Sequence, residues 1–234
     1  LSLRPVAGDR ALAEDVASRS RTLWAKRAKR WLAELSRSVK QRHAVAGEVA
    51  FLLEPDLKDG RGGLRDVHAI RWAEAARTVM LEGDDDGLAE AYDTILSARV
   101  ELHRRTGRRG DRLVLEEQDG VAGALGYPSA DELMRAVSSA ARRIAWTSDE
   151  VWDRVDSSLA GPLRSRLVRD REVAPGVVLR DGIVELHRFA DPGADPLLGL
   201  RVAVAAATNA TRIERRTLNR LAGEAPALGD PWPD

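Results

Sequence analysis

The chain has no cysteine among its 234 residues, which removes disulfides, zinc–thiolate sites and thiol nucleophiles from consideration. It has no excess of either charge, since Lys+Arg and Asp+Glu both number 37. A nucleic-acid binder normally carries a basic surplus, so the balance argues against one and describes a solvated, salt-bridged helical surface. Lysine is scarce, confined to Lys26, Lys29, Lys40 and Lys58. The arginine bias reads first as GC-rich coding and only second as chemistry. No apolar run approaches the roughly 20 residues needed to span a bilayer. Leu1 to Arg10 is polar and interrupted by Pro5, unlike a secretory signal. Together these absences lead us to expect a soluble, cytoplasmic chain with no membrane partner. The first residue is Leu1 and the last stretch is DPWPD, from which we expect a piece of a longer polypeptide.

What the sequence does have is helical periodicity. With 44% hydrophobic residues, the chain can bury one substantial core or two smaller ones. Apolar residues at helical spacing predict one long helix from Arg10 to about Val45, then helices over Leu64–Leu81 and Leu88–His103. The short apolar run Ala50–Leu53 halts before Pro55. A short helix over Val114–Leu125 ends at Gly126, and a capping box at Ser129–Glu132 starts another that runs through Val155. Between these, Asp84–Asp86 reads as a solvated interhelical turn without the spacing of a calcium loop. Arg104–Arg112 looks like an RNA-binding tract but has no aromatic to stack a base. Acidic residues follow it at once, so it reads as a salt-bridged interhelical loop. Composition shifts after Gly161. Two alternating runs joined by Asp181-Gly182 predict a β-hairpin near residues 176–187, followed by helices over Leu197–Ala207 and Arg212–Ala222. The expected fold class is mainly α: a helical bundle over residues 1–160, then a hairpin plus helices over 161–234.

The stretch Glu54–Asp66, EPDLKDGRGGLRD, interrupts this pattern. Gly60, Gly62 and Gly63 permit positive φ and close backbone approach, and a helix begins at Leu64. Amides at a helix start, with Arg61 and Arg65 beside them, suit a phosphate or a carboxylate. The spacing matches neither the P-loop nor the dinucleotide motif, and no convincing strand precedes it. Two readings therefore stand: a structural turn, or an anion- or domain-docking site. The candidate residues are Glu54, Lys58, Gly62, Gly63, Arg65 and Asp66; Asp56 and Asp59, flanking Lys58, are ambiguous. Of His43, His68, His103 and His187, no two stand at i, i+4 and none precedes an Asp, so no metal site is assigned. His68 and His103 read as packed or surface side chains. No nucleophile has a base at a recognisable spacing, so no catalytic residue is assigned.

The order of segments carries more. EPDLKDGRGGLRDVHAIRWA, then LSARVELHRRTGRRGDRLVLEEQDGVAGALGY, then ELMRAVSSAARRI, resembles the bifunctional PII uridylyltransferase/uridylyl-removing enzymes of bacterial nitrogen signalling. The family pattern E-P-[ND]-x-K-x-x-x-G-G-L-R-D is matched by Glu54, Pro55, Asp56, Lys58, Gly62, Gly63, Leu64, Arg65 and Asp66. Its A-R-x-x-L-H helix end is matched by Ala98, Arg99, Leu102 and His103. Its D-x-L and Q-x-x-[VI]-A-x-x-L-x-Y elements fall on Asp111, Leu113, Gln118, Val121, Ala122, Leu125 and Tyr127. The resemblance covers residues 1–160 well and the remainder weakly.

It implies a helical segment between a nucleotidyltransferase module, whose G-S-D-x-D carboxylates are not in this sequence, and downstream HD and ACT modules. The intact enzyme would use Mg²⁺ with UTP (or ATP, since some relatives are thought to transfer adenylyl) and act on the PII signalling protein. This chain alone would bind no cofactor and be inactive, with its own nucleotidyltransferase and HD domains as partners. Arg65 and the Gly62–Gly63 amides would face nucleotide or a neighbouring domain, with Asp66 orienting Arg65. Two other readings stand beside it. One is a non-catalytic helical interaction domain. The other is a piece of a glutamine synthetase adenylyltransferase, a family with a similar G-R-G-G-[IL]-R loop.

Overall fold

A computed structural model describes residues 5–77, 79–81, 83–84, 86–160, 171–180 and 182–226. The chain divides into two compact units, Leu1–Leu159 and Ala160–Asp234. The fold is mainly α, with one small antiparallel sheet.

The first unit is built from helices α1 (Arg10–Lys26), α2 (Ala28–Ala46), α3 (Leu64–Ala76), α4 (Leu88–Thr106), α5 (Leu115–Leu125) and α6 (Ala130–Ala160). The predicted single helix over Arg10–Val45 is in fact two, broken at Arg27, where ψ is 26°. The break accompanies two tertiary ties. Trp24 stacks on Trp31 with centroids 5.9 Å apart, and its indole N–H donates to the Trp72 carbonyl at 2.7 Å. Helix α3 is shorter than its apolar pattern. It stops at Ala76 because the Glu74 carboxylate takes the Val79 and Met80 amides at 2.7 and 2.9 Å, which continued helix would have bonded to carbonyls. At α6, Ser129 Oγ accepts the Glu132 amide at 3.2 Å, one half of the predicted capping box.

Helix α3 lies at the centre of this unit. Leu64 and Val67 belong to one core with Leu57, Ile95, Leu102, Leu113, Val121, Leu133, Val137 and Ile144. Ala69, Ile70 and Ala73 belong to a second, with Leu32, Val39, Val151, Trp152 and Val155. A helix buried on two sides leaves only a narrow stripe for water, and on α3 the exposed positions are Arg65, Arg71 and Ala75. The acidic turn departs from expectation. Asp84 is 1% exposed, accepts the Leu81 amide at 2.8 Å and is paired with the Arg154 guanidinium. A carboxylate leaves water only when matched in this way. Asp85 lies outside the described residues.

In the second unit, the expected hairpin is part of a three-stranded sheet, β1 (Arg171–Ala174), β2 (Val177–Arg180) and β3 (Ile183–Leu186), in that order and antiparallel. Arg180 pairs with Ile183 and Val177 with Leu186. Asp181, the first residue of the predicted turn, lies outside the described residues. Val177, Val184 and Leu186 pack against Leu198, Val202 and Ala205 of α7 (Leu198–Thr208). Helix α8 (Arg215–Glu224) is tied to β3 by Thr217, whose hydroxyl accepts the Leu186 amide at 2.9 Å.

Candidate functional site

The loop before α3 closes on itself and on the segment after α4. Asp56 Oδ1 accepts the Lys58 and Asp59 amides at 3.0 and 2.7 Å, a side-chain-closed turn. The Leu57 amide donates to the Asp111 carbonyl at 2.8 Å and the Leu113 amide to the Pro55 carbonyl at 3.0 Å. Glu54 Oε1 accepts the Leu115 amide at 3.1 Å and so satisfies the first turn of α5, whose N-cap, Val114, has no side chain able to do so. Gln118 Nε2 donates to the Leu53 carbonyl at 2.7 Å.

The glycines serve packing. Gly62 has φ +84°, and a Cβ there would stand 2.4 Å from the Ala141 carbonyl oxygen of α6. A Cβ on Gly63 would meet the Gly60, Leu57 and Lys58 carbonyl oxygens at 2.8, 2.9 and 2.9 Å. The amides are spent as well. Gly62 N–H donates to Asp66 Oδ2 at 2.7 Å, and Gly63, Leu64, Arg65 and Asp66 donate to the carbonyls of Gly60, Leu57, Lys58 and Gly63 at 2.9–3.1 Å. The expected cradle of Gly62–Gly63 amides is therefore corrected: these donors are used inside the turn, and an incoming anion would have to break those bonds.

Asp66 is corrected too. It is fully buried, and its Oδ1 receives Arg42 Nη2 at 2.6 Å and His43 Nε2 at 2.8 Å. Burial alone would raise its pKa, but the bonds and charges of His43 and Arg42 outweigh that and hold it below the usual carboxylate range. Arg42 also donates to the Asp59 carbonyl at 2.8 Å. Asp66 thus locks the end of α2 to the start of α3 and does not orient Arg65. Arg61 is likewise committed, bridging Glu48 at 2.6 Å and Asp149 of α6 at 2.5 Å.

Lys58 and Arg65 remain at the surface. Arg65 is half exposed, with its Nε 3.3 Å from Asp59 Oδ1. Lys58 Nζ reaches Asp111 Oδ2 at 3.1 Å, while Arg99 Nε and His103 Nε2 meet Asp111 Oδ1 at 2.6 and 3.2 Å. Two motif segments therefore converge on the carboxylate of a third. Burial pushes the Asp111 pKa up, but Arg99 and Lys58 hold it below the ordinary range. The Arg104–Arg112 loop is salt-bridged as expected, with Arg105 Nε 3.3 Å from Glu117.

Sequence reasoning missed Arg42 and His43 as partners of Asp66. They stand 24 and 23 residues away, and no local spacing marks them. His68, read as a packed or surface side chain, is indeed packed, with Nε2 3.3 Å from the Tyr92 hydroxyl and its ring stacked on Trp72 at 6.4 Å, but its grouping with neighbouring cations was missed. A signal was available in Arg65, His68 and Arg71, spaced i, i+3, i+6 along one side of a helix. No group of three His, Asp or Glu among the described residues could hold a metal. Asp66 and Asp111 are saturated by cations, so the residues here do not fit Mg²⁺.

A glycine turn locked among helices, with Lys58, Arg99 and His103 meeting Asp111 beside it, defines a mainly α domain. The sequence model of the GlnD PII-uridylyltransferase family matches residues 29–152, a little over half of the chain, and the chain belongs to that family. The bifunctional uridylyltransferase/uridylyl-removing enzyme of Streptomyces coelicolor is 40% identical over 251 residues, covering 100% of this chain and 29% of the relative. Its Mycobacterium tuberculosis counterpart is 36% identical over 242 residues, covering 100% of this chain and 30% of the relative. The Corynebacterium glutamicum enzyme is 33% identical, covering 100% of this chain and 33% of the relative. The chain thus spans about a third or less of the length of these relatives. No solved structure matches it.

Proposed function

We propose that this chain is the helical part of a PII-protein uridylyltransferase/uridylyl-removing enzyme, and that it supports the transferase site through the GRGGLRD loop. The observation that carries this is the convergence of Lys58, Arg99 and His103 onto the Asp111 carboxylate beside the loop, where three segments of the family pattern meet. The relatives are named for both transfer and removal of uridylyl, and with them we assign UTP, Mg²⁺ and the PII protein to the intact enzyme. Mg²⁺ would be held by carboxylates outside this chain, because Asp66 and Asp111 already have cationic partners. On this reading Lys58 and Arg65, the loop cations that remain at the surface, meet nucleotide or the nucleotidyltransferase module. The chain by itself is inactive in both directions on this reading.

Incubating the full-length polypeptide that carries this sequence with PII, Mg²⁺ and labelled UTP is expected to label PII, whereas the 234-residue chain leaves it unlabelled. Absence of transfer by the full-length protein, or labelling by this chain alone, would overturn the assignment.

A further inference from the structure

Helix α3 is buried on two sides, and what it shows to water is cationic. Arg65 and Arg71 are exposed, and His68 between them is half-buried. Facing them from α4, the Tyr92 ring lies 5.0 Å beneath the Arg71 guanidinium and its hydroxyl is 3.3 Å from His68 Nε2. Arg99, seven residues along α4 from Tyr92, is held by Asp111, which also carries Lys58. Among the described residues, three of these four cations, Arg65, Arg99 and Lys58, pair with two carboxylates, Asp59 and Asp111, in a chain whose net charge is zero. No carboxylate among the described residues pairs with Arg71. Crowding like charges around an imidazole is unfavourable, and the consequence is visible at His68. Burial lowers its pKa, and Arg71, Arg65 and Arg99 lower it further. A fold that keeps Arg71 without a carboxylate partner on its central helix, beside cations that already share two carboxylates, is accepting a cost that an anion would relieve.

We propose that the face formed by Arg65, His68, Arg71, Tyr92 and Arg99 is a binding site for phosphate oxyanions. Arg71 lies over the Tyr92 ring at 5.0 Å and Arg99 is held by Asp111 at 2.6 Å, so both forks are positioned before a ligand arrives, and planar guanidiniums suit bidentate phosphate contacts. The His68–Tyr92 hydrogen bond uses one of their hydrogens and leaves the pair one further directional donor. Arg71, Arg65 and Arg99 all act on the one His68 imidazole, a local grouping of charge that suits a phosphate. A protein interface covers about 800 Å² per partner and would spread its charges more widely. The site uses side chains only, so the occupied amides of the glycine turn are no obstacle. This inference deepens the uridylyltransferase reading and rests on it for the source of the phosphate: the triphosphate of a free nucleotide, or the phosphodiester of a uridylylated protein.

The test is calorimetric titration of the 234-residue chain at low salt with inorganic triphosphate, UTP and a uridylylated tyrosine peptide, alongside proton NMR of the His68 ring. Triphosphate is expected to bind one per chain. Arg65→Ala and Arg71→Ala should each weaken it by about tenfold, the loss of one charge-assisted bond, whereas Arg188→Ala in the second unit should leave it unchanged. A bound phosphate should also move the His68 titration to higher pH. Affinity for UTP equal to or above triphosphate identifies free nucleotide as the source; tighter binding of the peptide identifies the phosphodiester. No binding at millimolar triphosphate, binding unaffected by both arginine variants, an unmoved His68, or tighter binding of an acidic peptide without phosphate would each overturn the site. Such a failure would leave PII labelling by the full-length protein intact. Loss of labelling with binding retained would instead count against the functional reading alone.

Discussion

Replacing Gly62 with alanine separates a glycine kept for packing from one kept for ligand approach. At φ +84° an L-residue is strained by roughly 1–2 kcal/mol. The added Cβ would also stand 2.4 Å from the Ala141 carbonyl oxygen and 2.9 Å from its carbonyl carbon. Those are backbone atoms of α6 and cannot swing aside, so an overpacking cost of about 1–3 kcal/mol is added. Gly107 supplies the control. Its φ is +62°, but nothing lies within 4 Å of its Cβ position, so Gly107→Ala carries the conformational term alone. Thermal unfolding followed by circular dichroism is the assay. With about 2–4 °C per kcal/mol for a unit of this size, Gly107→Ala should lower Tm by a few degrees and Gly62→Ala by roughly 10 °C. Equal shifts for the two variants would mean that the turn does not pack under α6 as described.

Asp66→Ala strips the partner from Arg42 and His43 and leaves the Gly62 amide without an acceptor. Breaking a buried pair in this way costs about 3–5 kcal/mol, so a midpoint shift in urea below 1 kcal/mol would contradict the lock. Acid should unfold the first unit for a related reason. Asp66 and Asp111 have lowered pKa values in the folded state, so their contribution is complete above the unfolded value of about 4. It is lost as pH falls from there through the lowered folded values. Asp66→Asn should flatten that limb of the stability–pH curve, and an unchanged slope would refute the assignment.

Much of the fold could be read from spacing, because helices that pack against a core repeat their apolar residues every third or fourth position. The starts of α3, α4 and α5 were visible in that way, and the β2–β3 pairing through its alternating runs and the Asp181-Gly182 dipeptide. Other features depend on contacts that no window of sequence contains. The break at Arg27 goes with the tie between Trp24 and Trp72, 48 residues apart. Helix α3 ends early because Glu74 captures amides ahead of it. Strand β1, REVA, has exposed residues at its start and a bulge between Glu172 and Ala174, so it never alternates cleanly. Asp84 looked solvated because Arg154, its partner, is 70 residues away. The loop itself was legible as a place, through its glycines and charges, but not as a geometry. Whether its amides pointed outward or inward turned on carbonyls supplied by Leu57 and Lys58.

The most direct test of the loop's part in transfer is the steady-state kinetics of Arg65→Ala in the full-length polypeptide, measured as uridylylation of PII against UTP concentration. Arg65 is half exposed, with its Nε 3.3 Å from Asp59 Oδ1, and a surface pair of this kind contributes about 0–1 kcal/mol. The expected result is a raised KM for UTP or a lowered kcat with Tm unchanged. Wild-type kinetics accompanied by a lowered Tm would contradict it and leave the loop a purely structural turn.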